Sequence, residues 1–394
     1  MQPLSTWIKH RIPNRKDNIM TTVHVRASTE YDVVIGRGNL SSAGEMILPL
    51  FSGRKLCLVT DSTVEKLYAD RVTKSLADAG FDVCRFVFPA GEESKCMATY
   101  VALQEFLAEH RLSRKDGIVA LGGGVTGDLA GFAAATYLRG IDFVQIPTTL
   151  LAAVDSSVGG KTGIDLAAGK NLCGAFHQPK VVICDIDTLT TLKYADYIGG
   201  MAEVIKYGVI RDAELFTLLE ERADDVLVAY LGKDDGAMEL LEHVIATCVG
   251  IKRDVVEADE FEGGLRAILN YGHTAAHAIE NISGYRIPHG YAVGTGMMIA
   301  TNYANLIGAL PVKDGDRIRE ILNKYGLPGG ARGAASMCLL DPDEFTPERM
   351  AEVALSDKKA GGGAINLVLP TRIGDCIVEK TPTDKLVEFM GIDD

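Results

Sequence analysis

The sequence predicts an α/β N-terminal domain built on a largely parallel sheet, followed by a mainly α-helical C-terminal domain. Three observations predict it. Short apolar, β-branched runs alternate with helical periods up to about residue 190. Beyond that point helical periods follow one another with few strand-like runs between them. The length of 394 residues suits two or three domains at roughly 100–200 residues each.

Taken in order, residues 1–19 carry Lys9, His10, Arg11, Arg15 and Lys16 but lack the apolar core of a signal peptide. They are expected to be a disordered tail, with Met20 a candidate start. Strands are expected at 31–35, 55–60, 83–88, 118–121, 143–146 and 181–184, with helical periods such as 64–79 and 97–110 between them. Helices are expected at 201–210, 213–228, 237–256, 273–282, 292–307 and 317–325, with one late strand at 364–369. The division drawn from this pattern is 20–190 and 191–394. No repeat or low-complexity linker separates the halves, and small-molecule sites favour such junctions.

Bulk properties narrow the function classes. A net charge of −13 argues against sequence-independent nucleic-acid binding, which needs a basic footprint. No run approaches 18 apolar residues, so no membrane span is expected. The eight cysteines include no Cys-x-x-Cys pair, and several sit in apolar runs such as Val181-Val182-Ile183-Cys184. They read as buried thiols in a reducing, cytoplasmic setting.

Four segments carry chemistry. After the strand 118–121, Gly122-Gly123-Gly124-Val125-Thr126-Gly127-Asp128 opens a helix, a place where backbone amides can approach a pyrophosphate. Asp61 follows the strand 55–60, where a carboxylate can accept from a ribose. Together they favour a dinucleotide in a variant Rossmann-like domain, although a tight structural turn would also use such glycines. Next, Val154-Asp155-Ser156-Ser157-Val158-Gly159-Gly160-Lys161-Thr162 lacks the first glycine of a P-loop. Its amides and the Lys161 ammonium could still hold a phosphate, with Lys170-Asn171 nine residues on. It could equally be a solvated loop.

Third, Glu203 and Lys206 lie three apart on an expected helix, a spacing that also suits a surface ion pair. Fourth, His273 and His277 share a helix face, and His289 follows a helix end at Ser283-Gly284-Tyr285 and Pro288. Imidazoles are common transition-metal ligands, and Glu203 could complete a Glu-plus-two-His zinc set with an open position. Lys252, Arg253, Arg266 and Asn270 place polar and cationic groups around this segment.

The combination of 122–128, Arg139-Gly140, 145–149, 154–162, Gly169-Lys170-Asn171, 203–206, 265–280, His289-Gly290 and Asp357-Lys358-Lys359 resembles the 3-dehydroquinate synthases, within the sugar phosphate cyclases. The resemblance covers most of residues 30–390 in order. It implies Glu203, His273 and His289 as ligands of a divalent metal, usually Zn2+ and alternatively Co2+, so His277 becomes a substrate residue. It implies NAD against Asp61, Glu92, Lys95, Gly123, Gly124, Val125, Asp128, Thr148, Thr149 and Lys170. Asp155, Lys161, Lys206, Lys252, Arg266, Asn270 and His277 are the implied catalytic residues. Asn171 and Lys358 join them around a phosphorylated sugar acid, and Arg139 reaches the phosphate from the second subunit of a homodimer.

The implied reaction converts 3-deoxy-D-arabino-heptulosonate 7-phosphate to 3-dehydroquinate. It runs by transient oxidation, phosphate elimination, re-reduction, ring opening and intramolecular aldol closure. Tyr291, Ala275-Ala276 and Asp165 depart from residues common in the family, without removing a metal ligand or phosphate contact. An amino-substituted heptulosonate would use much the same residues. A polyol dehydrogenase would leave Lys161, Asn171, Lys252 and Arg266 unexplained.

Overall fold

The computed structural model describes residues 20–357 and 363–392, so the expected tail at 1–19 lies outside the described residues. The chain's described residues divide into two compact units, those up to Leu192 with Met238–Phe261, and Lys193–Ala237 with those from Glu262 on.

The first unit is built on seven strands. These are β1 (Thr21–Arg26), β2 (Glu30–Gly36), β3 (Lys55–Asp61), β4 (Asp82–Phe88), β5 (Gly117–Gly122), β6 (Asp142–Pro147) and, beyond a separate hairpin of β7 (Lys161–Leu166) and β8 (Gly169–Phe176), β9 (Val181–Asp185). Their order is β1-β2-β9-β6-β5-β3-β4, parallel throughout except for the antiparallel β1–β2 edge. All six expected strands of this region are present. The central ones are fully buried because successive side chains leave opposite faces of the sheet. Leu56 and Leu58 enter one apolar layer with Val119 and Leu121, while Cys57 and Val59 enter the other with Ile118 and Ala120.

Residues 238–261 belong to this unit although their sequence reads with the helical half. The helix Asp235–Ala258 supplies Glu242, which accepts from Thr21 Oγ1 at 2.7 Å, and Glu257, which accepts from Arg26 N at 2.7 Å. Glu260 accepts from Ser28 N at 2.8 Å just beyond it. These bonds cover the β1–β2 edge, whose polar groups would otherwise face water.

The hairpin of β7 (Lys161–Leu166) and β8 (Gly169–Phe176) is not among the strands expected from the sequence. Its sequence has neither strict alternation nor an apolar run, and its glycines permit a close pairing: a Cβ on Gly174 would meet Thr162 O at 2.1 Å.

The second unit is helical, with the helices Tyr194–Ile210, Ala213–Glu221, Ala223–Ala229, His273–Ile282, His289–Leu306, Val312–Lys324, Ala331–Met337 and Pro347–Asp357. The expected helix 213–228 breaks at Arg222, which leaves helical geometry at φ −113° and ψ 23°. The late strand is one arm of a hairpin, β10 (Ala364–Arg372) with β11 (Asp375–Pro382). Among the described residues no helix is long and apolar enough to cross a membrane.

Candidate active site

In the second unit the helix His289–Leu306 packs against both Tyr194–Ile210 and His273–Ile282. The approach to Tyr194–Ile210 requires glycine, since a Cβ on Gly290 would sit 2.1 Å from Gly199 O. This backbone contact carries His289 to Glu203. Glu203 Oε1 lies 3.4 Å from His289 Nε2 and 3.6 Å from His273 Nε2. The three ligand atoms fall within 4.8 Å of one another. Zinc–donor distances of about 2.0–2.2 Å in a tetrahedral site put neighbouring donors roughly 3.3 Å apart, so the triad fits a four-coordinate metal with one position open.

The outer nitrogens are held as well. His273 Nδ1 faces Tyr271 O at 3.1 Å, and His289 Nδ1 faces Glu280 Oε1 at 3.3 Å. Such partners select the tautomer and aim Nε2 at a metal. Sequence reasoning gave Glu280 no role, although it stands seven residues after His273 on the same helix face. Burial pushes His273 down to about 3 despite the neighbouring Glu203 carboxylate. Burial also acts against charge on His289, but hydrogen bonds to Glu203 and Glu280 push it up to about 10.

Around the triad, Lys206 forms an ion pair with Glu203, and both side chains are buried. The His277 ring lies 5.8 Å from that of His273 and is exposed, as a substrate-facing side chain would be. Arg266 is only 2% exposed, and the exposed Asn270 ends the same short turn, Leu265–Asn270. Lys358 lies outside the described residues.

The first unit holds a second polar cluster. The glycine run ends β5 and starts the helix Gly124–Thr136, with Gly123 at its N-cap. Thr148 N donates to Gly122 O at 2.9 Å, so β6 delivers Thr148 and Thr149 beside the same helix start. Asp61 ends β3 and accepts from the amides of Thr63 and Val64 at 2.8 and 3.0 Å. Its carboxylate therefore caps a turn at the strand's end, where a ribose partner is expected.

Lys95 is 5% exposed and donates to Asp128 Oδ2 and Asn171 Oδ1, both at 2.6 Å. Burial acts against its charge, but the carboxylates of Asp128, Glu92 and Asp165 together outweigh burial and raise its pKa. Lys170 pairs with Glu92 at 3.4 Å. The ammonium of Lys252 meets both the carboxylate of Asp155 and, at 2.5 Å, its carbonyl oxygen. Lys161 opens β7 on an exposed side, and Arg139 is exposed on a turn with φ 70°. The expected residues thus form two groups, a metal triad with Lys206 and His277 in one unit and the glycine turn with its charged partners in the other.

Comparison with known proteins places these groups in a family. The 3-dehydroquinate synthase N-terminal model matches residues 85–198, and the 3-dehydroquinate synthase C-terminal model matches residues 200–360. The 3-dehydroquinate synthase of Clostridium acetobutylicum is 43% identical over 363 residues, 92% of this chain and 96% of that protein. Among solved structures, 2-deoxy-scyllo-inosose synthase complexed with carbaglucose-6-phosphate, NAD+ and Co2+ is similar at TM-score 0.81. It has 27% identity over 94% of this chain and 99% of its own. ValA, the 2-epi-5-epi-valiolone synthase of Streptomyces hygroscopicus, with NAD+ and Zn2+ bound, reaches TM-score 0.80 at 26% identity, over 96% of this chain and 97% of its own. With both halves matched and the triad assembled, the chain belongs to the 3-dehydroquinate synthase family.

Proposed function

We propose that this protein is a 3-dehydroquinate synthase. It converts 3-deoxy-D-arabino-heptulosonate 7-phosphate to 3-dehydroquinate and inorganic phosphate, as a carbon–oxygen lyase dependent on NAD and a divalent metal. The observation that carries the reading is the Glu203–His273–His289 triad, set in a chain that matches this family across both halves. We assign NAD to the sheet-bearing part, 20–190, and the metal with much of the substrate to 191–394.

The residues suit the chemistry. Glu203, His273 and His289 would hold Zn2+ or Co2+, and the glycine turn 122–125 with Asp61, Glu92, Lys95, Asp128, Thr148, Thr149 and Lys170 would hold NAD. When bound, NAD would supply a reversible hydride acceptor and the metal a Lewis acid for the oxygen at the carbon being oxidised, with no net redox change. The chain's own part is orientation and charge. Lys161, Asn171, Asn270, His277 and Lys358 hold the phosphate and stabilise the charge that grows on it as the C–O bond breaks. Buried Arg266 matches the substrate carboxylate. The Asp155–Lys252 pair fixes an ammonium where substrate hydroxyls need a donor, and Lys206 keeps Glu203 ionised as a ligand.

A homodimer in which Arg139 of one subunit reaches the other's phosphate completes this reading. The exposed position of Arg139 supports it. The eight cysteines are free thiols, which supports a reducing, cytoplasmic setting.

The test is an assay of NAD-saturated, zinc-loaded protein with 3-deoxy-D-arabino-heptulosonate 7-phosphate. Phosphate and 3-dehydroquinate are expected in equal amounts without accumulating NADH. No release of either would overturn the assignment, and release of phosphate with net NADH would overturn the internal redox cycle.

A further inference from the structure

The β7–β8 hairpin contains an irregularity aimed at one of the proposed phosphate ligands. Pairing runs from Ile164↔Cys173 directly to Leu166↔Gly169, so Lys170, Asn171 and Leu172 of β8 stand opposite the single residue Asp165. Bulges of this kind re-aim a side chain and interrupt pairing beside active sites. Asn171 adopts a left-handed conformation, φ 56°, which asparagine enters more readily than most L-residues and which a neighbouring contact can hold in place.

Asp165 supplies the hold. Its Oδ1 accepts the Asn171 backbone N–H at 2.8 Å, and its own N–H donates to Lys95 O at 2.8 Å. Asp165 also bridges Cys96 in parallel fashion, so the bulge is anchored to the segment that carries Lys95. The Lys95 ammonium then meets the Asn171 side chain at 2.6 Å. An ammonium only donates, so the amide oxygen must face Lys95. The NH2 of Asn171 is left on the other side, and an NH2 is the half of an amide that a phosphate oxygen can use.

We propose that Asp165 is a positioning residue for the substrate's phosphate: it locks the bulge so that Asn171, oriented by Lys95, presents its NH2 as a donor. The proposal rests on Asn171 holding the phosphate, as read above.

The experiment uses the NAD- and zinc-loaded full chain with Asp165→Ala, Asp165→Asn and Asn171→Ala. Measured are KM for the phosphorylated substrate, competitive inhibition by inorganic phosphate, and NAD affinity. Loss of one well-aimed hydrogen bond is worth about fivefold to tenfold. Asp165→Ala is expected to raise both the KM and the phosphate inhibition constant by about that factor, with NAD affinity kept. Asp165→Asn retains an acceptor and is expected to restore both constants. Adding Asp165→Ala to Asn171→Ala should change neither further, because the two act through one contact.

If Asn171→Ala leaves phosphate inhibition at the parental value, the reading beneath the proposal fails and the proposal with it. If Asn171→Ala weakens phosphate but Asp165→Ala does not, the proposal alone is overturned. Equal losses of phosphate and NAD affinity in Asp165→Ala would show a merely structural role and also overturn it. Should Asp165→Ala fail to fold, Asp165→Glu keeps the charge but displaces the acceptor, and its constants are read by the same criteria.

Discussion

Glu280 shows how much a single side chain outside the ligand set can govern a metal centre. It is 3% exposed and sets the ring of His289 through Nδ1. Removing such an outer partner lowers metal affinity by about 10–100-fold in comparable sites. Glu280→Ala is expected to do so here, measured by competition with a chelator, while Glu280→Gln keeps an oxygen acceptor and loses less. Parental affinity in Glu280→Ala would mean that His289 is aimed by packing alone. The residues of the triad were legible from spacing and resemblance, whereas Glu280 was not. A carboxylate on a helix face is ordinary until the ring it orients is known to lie nine residues away.

At the scale of elements, the site depends on how closely helices approach. Gly290 lets His289–Leu306 meet Tyr194–Ile210 at backbone distance, and its added Cβ would have to displace Gly199 O. Overpacking of this kind costs about 1–3 kcal/mol. Gly290→Ala is therefore expected to lower thermal stability and, by moving His289 off Glu203, to lower zinc affinity as well. Zinc affinity unchanged at reduced stability would show that the triad tolerates the shift.

The same scale explains which elements could be read in advance. The parallel strands carry buried β-branched runs, and 273–282 carries an unbroken helical period, so both are visible locally. The β7–β8 hairpin is not, because its glycines and polar residues serve a close pairing and a bulge rather than an apolar face. Residues 238–261 keep a helical period wherever they dock, so periodicity alone cannot reveal that they cover the β1–β2 edge.

At the scale of the whole molecule, an acidic chain of net charge −13 must concentrate cations at chosen points to hold the proposed substrate, which carries a phosphate and a carboxylate. If Arg139 acts across a dimer, mixed dimers of Arg139→Ala and Lys206→Met chains contain one site with neither substitution. Random mixing of two inactive chains should then restore about a quarter of parental activity, since half the dimers are mixed and each has one intact site. No recovery would place Arg139 in its own subunit's site.

The most direct test of the central claim is a zinc titration of EDTA-treated, NAD-saturated protein, recording bound metal and phosphate release together. Activity is expected to be absent without metal and to rise in step with zinc until one ion is bound per chain. His273→Ala is expected neither to bind this ion nor to regain activity. Full phosphate release from the metal-free protein, or restoration of His273→Ala by the same zinc, would contradict that claim.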